Sequence, residues 1–253
     1  MKKFLPRALA VLFWLGAWQA LSMAVNQAIL LVSPMTALAT LFRLMGTSAF
    51  YRAILTSFGR ILLGFLMAVG LGVALAALAA RFRLVRTLLD PLMSTIKATP
   101  VASFVILALV WISARNLSVF TAFLMVLPLI YTNVLAGLAS APQKLLEMAK
   151  AFKMRPGNVV RAIYLPAAFP YFLTACQVSL GVCWKAGIAA EVIGQPDGSL
   201  GDMLYRAKLF LSTDELFAWT ITIVLMSVLL EKLVVHFIKK LQSVYGGGLS
   251  DGV

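Results

Sequence analysis

Long apolar runs constrain the fold of this chain more than any other feature of its sequence. Of its 253 residues, 62% are hydrophobic and 12% are charged, too few charges to cover an ordinary water-soluble domain. About 20 consecutive apolar residues suffice for a helix to cross a bilayer. Six such runs lie at about residues 8–25, 52–80, 92–112, 118–138, 166–190 and 216–238. The sequence therefore predicts an all-α integral membrane protein with about six transmembrane helices.

The charged residues predict how these spans are oriented. The net charge is +13, and the cations gather near the ends of the apolar runs, at residues 2–7, 81–86, 144–161 and 239–240. Positive residues prefer the cytoplasmic side of a membrane, and in a six-span topology these four groups fall on one side. Both termini are therefore expected in the cytoplasm. The cations do not form a dense patch with interleaved aromatics, so the charge does not indicate a nucleic-acid partner.

The runs divide the chain into three regions. Residues 1–50 are expected to hold the first transmembrane helix and an external loop, residues 51–242 a five-helix core, and residues 243–253 a disordered tail. Two interpretations of residues 1–24 remain open, because Ser22-Met23-Ala24 could also end a cleaved signal peptide. The length of the run favours a span.

Patterns inside two runs predict how their spans are built. Small residues recur every four positions along the second run, which lets another helix approach this face closely. They are Gly64, Ala68, Gly72, Ala76 and Ala80. The third run follows Asp90-Pro91 and contains Pro100, whose missing N–H predicts a break near Lys97.

A polar, basic segment at residues 147–166 separates the fourth and fifth runs. Permease subunits of bacterial ABC importers carry a cytoplasmic motif of Glu-Ala-Ala, three residues, Gly, nine residues and Ile-x-Leu-Pro, and this segment resembles it. The matching positions are Glu147, Met148, Ala149, Lys153, Ile163, Leu165 and Pro166. Met148 replaces an alanine and Lys153 replaces the glycine, so the turn between two short helices is expected at Pro156-Gly157 instead.

The resemblance implies a coupling loop of about residues 140–166 that docks on a separate ATPase subunit. Its coupling positions would be Glu147, Ala149, Lys153, Pro156, Gly157, Ile163, Leu165 and Pro166. Glu147 would face a basic residue of the ATPase, while Ile163 and Leu165 would pack the loop against the bundle. ATP and Mg²⁺ would bind to the partner, so this chain would bind no cofactor.

The same resemblance implies an assembly in the bacterial inner membrane. Its members would be two ATPase subunits, an extracytoplasmic substrate-binding protein and a second permease copy. A homodimer is expected, although a different permease as the partner remains an open alternative.

Further segments resemble the nitrate, sulfonate and taurine branch of these permeases. They are Ser57-x-x-Arg60, Asp90-Pro91, Thr99-Pro100-Val101-Ala102, Ala189-Ala190-Glu191-Val192-Ile193-Gly194 and Gly198-x-x-Gly201. The chain departs from the branch at Trp111-Ile112-Ser113, where relatives usually carry Trp-Phe-Gly. The resemblance implies import of a small solute, for example an anion such as a sulfonate or nitrate.

Ionisable residues inside the predicted spans are candidates for the solute pathway, because a charge facing lipid is costly. They are Arg60, Lys97, Lys185 and, near an outer edge, Glu191. A structural interpretation remains open beside this one. In it, Arg60 and Lys97 extend to the membrane interface, and Lys185 pairs with Glu191.

Other functions lack their expected sequence features. No nucleophile with a base, carboxylate pair or group of metal ligands is apparent, so the sequence predicts neither catalysis nor a metal site. The energising membrane component of vitamin uptake systems usually carries paired Ala-Arg-Gly motifs, which are absent from this sequence. A membrane receptor or scaffold would explain the spans but not the spacing from Glu147 to Pro166.

Overall fold

The computed structural model describes residues 4–27 and 29–245, with side chains for residues 9–27 and 29–235. These residues form helices without a strand. The helices are α1 (Phe4–Val25), α2 (Pro34–Met45), α3 (Ser48–Arg81), α4 (Arg83–Ala98), α5 (Val101–Ala108), α6 (Ala114–Ala139), α7 (Gln143–Ala151), α8 (Pro156–Val159), α9 (Leu165–Gly194), α10 (Leu200–Leu209) and α11 (Thr213–Tyr245). A π-helical turn at Val160–Tyr164 joins α8 to α9.

The helix lengths confirm an all-α integral membrane protein. Within the described residues, four helices are long and apolar enough to cross a bilayer, namely Ser48–Arg81, Ala114–Ala139, Pro156–Gly194 and Thr213–Val235. A bent pair formed by α4 and α5 would make a fifth span, and Leu9–Val25 is a shorter apolar helix. The helices occur where the sequence predicted spans, with the third as the main departure.

Close packing of α3 on α6 forms the centre of the molecule. A Cβ added to Gly64 would lie 2.3 Å from the carbonyl oxygen of Val119, and one added to Gly72 would lie 2.9 Å from Ile130. The two helix backbones therefore approach as closely as the spacing of small residues predicted. The later residue of α3, Gly72, meets the later residue of α6, Ile130, so the two helices run in the same direction.

Helix α9 packs on α6 in the opposite direction. Gly137 near the end of α6 meets Ala168 near the start of α9, whereas Gly194 at the end of α9 meets Leu117 near the start of α6. The ends of α3 and α6 and the start of α9 therefore lie on one side of the bundle, together with α7. We call this the α7 side, and the opposite one the α10 side.

The third predicted span is broken more sharply than a kink. The break near Pro100 is confirmed, and α4 and α5 diverge there by 103°. The predicted span at 92–112 corresponds to this bent pair, but its first helix begins earlier than predicted, at Arg83, so that Asp90 and Pro91 lie inside α4. The Asp90 carboxylate accepts a hydrogen bond from Tyr131, and Lys97 donates one to the adjacent Thr132.

These two hydrogen bonds hold α4 against α6. Asp90 and Lys97 are seven positions apart on α4, and both reach neighbouring residues of α6. Helix α5 turns back along the bundle, where its Val105 packs with Leu117 and Ala190 near the α10 side.

Two connections and the tail differ from the predicted loops. The segment at 26–51 was predicted as an external loop but contains α2, which is capped by Ser33. Arg43 holds α2 to α11, because its guanidinium lies 3.4 Å from both Asp214 and Glu215. The predicted outer loop at 191–215 contains α10. Residues 243–245 of the predicted disordered tail belong to α11, and the remainder of that tail lies outside the described residues.

Candidate functional site

The predicted coupling segment is a short amphipathic helix, α7, at the end of the bundle. Ala149 is 3% exposed and is the buried residue of this helix. Glu147 is exposed. Leu145, Met148 and Phe152 recur at helical spacing on an exposed face, and the Phe152 ring is the most exposed of them at 77%. Sequence reasoning missed this apolar stripe, which the amphipathic spacing could have revealed.

The chain turns at Lys153, not at Pro156-Gly157 as predicted. Lys153 has a φ of 50°, in the left-handed region, and its N–H donates to the carbonyl of Lys150. The N–H of Met154 donates to the carbonyl of Ala149 at 2.9 Å. This pair of hydrogen bonds is a Schellman motif, in which glycine usually occupies the left-handed position. Lys153 thus performs the turn that the glycine of the resembling motif would perform.

After this turn the chain enters one long helical element. Pro156 begins α8, where the missing N–H of proline costs no helical hydrogen bond. The element continues from Pro156 to Gly194, with Pro166 near the start of α9. Ile163 is buried, with 7% of its surface exposed. The expectation that Leu165 packs against the bundle is wrong, because its side chain is 56% exposed.

The surface of the coupling segment is strongly basic. Five cations are exposed, Lys144, Lys150, Lys153, Arg155 and Arg161, and Glu147 is the acid among them. None of these charges forms an ion pair with another residue of the described chain. Gly157 also lies on the surface, with open space around its Cα. The segment therefore presents unpaired positive charge around an apolar stripe.

A second group of candidate residues meets on the α10 side, around Glu191. The Glu191 side chain is fully buried, and its Oε2 accepts hydrogen bonds from Ser57 Oγ at 2.5 Å and from the N–H of Gly201 at 3.3 Å. Ser57 Oγ in turn accepts one from the N–H of Leu200 at 2.8 Å. Two residues of the spans thus bind the first N–H groups of α10, which carry partial positive charge.

The rest of the α10 start is satisfied within the same loop. Ser199 caps the helix by accepting a hydrogen bond from the N–H of Asp202, and Asp202 accepts one from the N–H of Gly198. Gly201 has no room for a side chain, because a Cβ there would lie 2.4 Å from the Cβ of Glu191. The exposed Arg206 is held by Asp202 and Asp197, and the hydrogen bond with Asp202 is the main cause that raises its pKa.

Arg60 lies one turn beyond Ser57 on α3 and its charge interacts with Glu191. Its Nη1 is buried without a hydrogen-bond partner, and the same is true of Glu191 Oε1, Ser118 Oγ and Thr121 Oγ1. Ser57 was not predicted as a site residue, although its spacing from Arg60 belongs to the branch resemblance. The polar cluster is therefore a junction of α3, α6, α9 and α10.

The two lysines of the predicted pathway lie elsewhere. Lys97 is exposed at the end of α4, beside the break at Pro100. Lys185 is exposed on α9, and its alternative pairing with Glu191 is not observed among the described ion pairs. The structure thus places Arg60 and Glu191 together but brings neither lysine to them. Groups of three or more potential metal ligands are absent from the described residues.

Comparison with known proteins gives one consistent result. Residues 61–243 match the family described as binding-protein-dependent transport system inner membrane component. The chain is 28% identical to the putative aliphatic sulfonates transport permease protein SsuC of Bacillus subtilis, over 81% of this chain and 74% of that protein. It is 28% identical to the taurine transport system permease protein TauC of Escherichia coli, over 85% and 80%.

A further relative matches most of the chain, and solved structures share its fold. A putative ABC transporter permease protein of Methanocaldococcus jannaschii is 26% identical over 92% of this chain and 87% of its own. The fold is similar to that of a chain in an amino acid ABC transporter solved with histidines, with a TM-score of 0.60, 17% identity, and coverage of 76% of this chain and 93% of that one. A chain of the inward-facing MetNI methionine ABC transporter gives a TM-score of 0.57 at 17% identity, with coverage of 75% and 93%.

Proposed function

Since the chain belongs to the family of binding-protein-dependent transport system inner membrane components and is a permease subunit of an ABC importer, we propose that α7 docks on a separate ATPase. The observation that carries this proposal is the exposed apolar stripe of α7. Phe152 is 77% exposed, and it lies on a polar segment that connects two spans instead of crossing the bilayer. A large aromatic side chain in such a place is a typical anchor for a groove on a partner.

The construction of the segment suits the transmission of force. Ala149 and Ile163 are buried on either side of the turn, and Pro156–Gly194 is one continuous helical element. A movement of the ATPase against α7 would therefore move α9 as a rigid body. Glu147 is free to meet a basic residue of the groove, and the surrounding cations favour an acidic rim. ATP and Mg²⁺ would bind to the ATPase.

We also propose that Lys97 and Lys185 face the solute pathway. Both are exposed on membrane helices, and a lysine facing hydrocarbon would be costly. Their positive charge favours a small anion, in keeping with relatives named for sulfonate, taurine and nitrate transport. Arg60 and Glu191 would support this pathway from inside the bundle, because Glu191 is fully buried.

The assembly would be completed by a second permease copy, which we propose to be identical, and by an extracytoplasmic binding protein on the α10 side. The distribution of cations favours this orientation, because the basic α7 side would be cytoplasmic. Both termini would then also lie in the cytoplasm.

Glu147→Ala tests the coupling role. We expect the variant to insert and fold normally, because Glu147 is exposed and makes no ion pair in the described chain, but to retain less ATPase on purification and to uncouple ATP hydrolysis from uptake. Gln143→Ala, an exposed polar change on the same helix, is the matched control. Uptake and ATPase retention equal to the wild type in Glu147→Ala would contradict the proposal.

A further inference from the structure

The corner between α3 and α4 combines a basic pocket with an exposed apolar helix face. An open pocket of about 520 Å³ lies where α3 ends on the α7 side. Three arginines line it, Arg81, Arg83 and Arg86, together with Thr87 and Asp90. Asp90 is the acid of this group, and it is already engaged by Arg86 at 3.4 Å and by Tyr131 at 2.8 Å.

Two of the arginines have no acidic partner. Arg81 lies over the Phe82 ring, 5.6 Å from its centre, and Arg83 forms no ion pair in the described part of the chain. Both side chains are exposed. The pocket therefore has an excess of positive charge that the chain itself does not neutralise, and it is complementary to an anion.

The apolar residues of α4 form two neighbouring stripes, one buried and one exposed. Val85 and Leu89 pack on the bundle, and Met93 is 2% exposed. Next to them, Leu84, Leu88 and Leu92 recur every four residues with exposed fractions of 73%, 66% and 51%. Residues at this spacing share one face of a helix. The leucine face needs an apolar environment that the described chain does not provide.

The position of α4 indicates that environment. Helix α4 begins directly after α3, at the end of a membrane span, and α5 turns away from it by 103°. An amphipathic helix in this position, with arginines on one face and leucines on another, is typical of helices that lie in the membrane interface. A cluster of arginines next to the end of a span is also a typical contact for anionic lipid headgroups.

We propose that this corner binds an anionic phospholipid. The phosphate of the headgroup would occupy the pocket between Arg81 and Arg83, and the acyl chains would cover Leu84 and Leu88. A guanidinium suits this role because it can donate two parallel hydrogen bonds to one phosphate. The inference does not depend on whether α7 docks on an ATPase, since it uses a different surface of the chain.

The test measures lipid retention by the purified, detergent-solubilised protein with native mass spectrometry. Phosphatidylglycerol and phosphatidylcholine are titrated separately into the wild type and the Arg81→Gln/Arg83→Gln variant. This variant keeps Arg86, so the ion pair with Asp90 remains. We expect the wild type to prefer phosphatidylglycerol, and the variant to bind it about tenfold more weakly. Lys144→Gln/Lys150→Gln removes the same charge from the same side and is expected to retain wild-type binding.

Two further comparisons separate a lipid from other occupants. Leu84→Ser/Leu88→Ser should weaken phosphatidylglycerol binding while leaving the arginines in place. Inorganic phosphate at millimolar concentration should not displace the lipid from the wild type. Circular dichroism and thermal unfolding verify the fold of each variant, and Arg83→Gln alone replaces the double variant if the latter misfolds.

Three results would overturn the proposal. The first is equal phosphatidylglycerol binding by the wild type and the arginine variant, and the second is an equal loss in the lysine control. The third is complete displacement of the lipid by inorganic phosphate, which would indicate a pocket for a free anion. Loss of co-purifying ATPase from the arginine variant, with lipid retention unchanged, would likewise assign the corner to a protein partner.

Discussion

At the α10 side of the bundle, hydrogen bonds join buried polar groups around Glu191, whereas at the α7 side the charges around Glu147 lie on the surface. Around Glu191, the carboxylate, the Ser57 hydroxyl and the first N–H groups of α10 are joined by hydrogen bonds, and the carboxylate is fully buried. Around Glu147, the charges are exposed and unpaired within the described chain, and Phe152 is mostly exposed. The polar groups around Glu191 are therefore enclosed by the chain itself, whereas those around Glu147 are open to the surface.

This difference separates two kinds of mutational effect. Changes at the α10 side should act on the stability of the chain, because they disturb groups that have no access to water. Changes at the α7 side should act on association and leave the folded chain intact. The following predictions test that separation.

We expect the largest effect from Gly201→Ala. The added Cβ would meet the Glu191 side chain at 2.4 Å and its backbone carbonyl carbon at 2.6 Å, so α10 would have to move away from the carboxylate that binds its first N–H groups. We expect a loss of about 2–3 kcal/mol in the free energy of unfolding. Thermal unfolding in detergent and hydrogen exchange of the α10 amides measure it.

Gly181→Ala is the matched control for this change. Gly181 lies in α9, and a Cβ there would have no atom within 4 Å. Alanine in a helix is favoured over glycine by about 0.5–1 kcal/mol, so this variant should be as stable as the wild type or slightly more stable. Equal unfolding temperatures for the two variants would show that the α10 junction is not tightly packed.

The second expected effect is on association. Phe152→Ala removes the most exposed side chain of the α7 stripe, and we expect the affinity for the ATPase to fall about tenfold while the unfolding temperature stays unchanged. Phe210→Ala, which also truncates an exposed phenylalanine but on the α10 side, is the control outside the stripe. Affinity is measured by titration of the ATPase onto reconstituted protein. A fall of the same size in both variants would remove the special role of the stripe.

The two sides also differ in how far the sequence predicted them. Three features were predictable because they depend on residue type alone. They are the apolar spans, the close approach at Gly64 and Gly72, which requires small residues, and the break at Pro100, which follows from the missing N–H of proline. The junction at Glu191 depends on contacts between residues far apart in the chain, so Ser57 and Gly201 could be marked only as parts of resembling segments. The 103° bend at Pro100 was not predictable, because a proline fixes a break but not its angle.

The turn at Lys153 also could not be predicted from the sequence. The absence of glycine led to a predicted turn at Pro156-Gly157, since a left-handed conformation is unfavourable for other residues. The structure adopts it at Lys153 nonetheless, because the hydrogen bonds of Lys153 and Met154 to the end of α7 hold the backbone there. The hydrogen bonds at the helix end therefore outweighed the conformational preference of the residue itself, while the register of the motif was preserved.

The smallest expected effect tests this turn and separates its backbone from its charge. Lys153→Gly should stabilise α7 by about 1 kcal/mol, because glycine adopts a positive φ without the strain of a side chain. Lys150→Gly removes the same charge three residues earlier, inside the helix, where glycine should destabilise by a similar amount. Hydrogen exchange of the α7 amides should therefore slow in the first variant and accelerate in the second. If the affinity for the ATPase falls equally in both variants, the lost positive charge governs docking. If the affinity rises in Lys153→Gly and falls in Lys150→Gly, as the stability of α7 does, the rigidity of α7 governs docking.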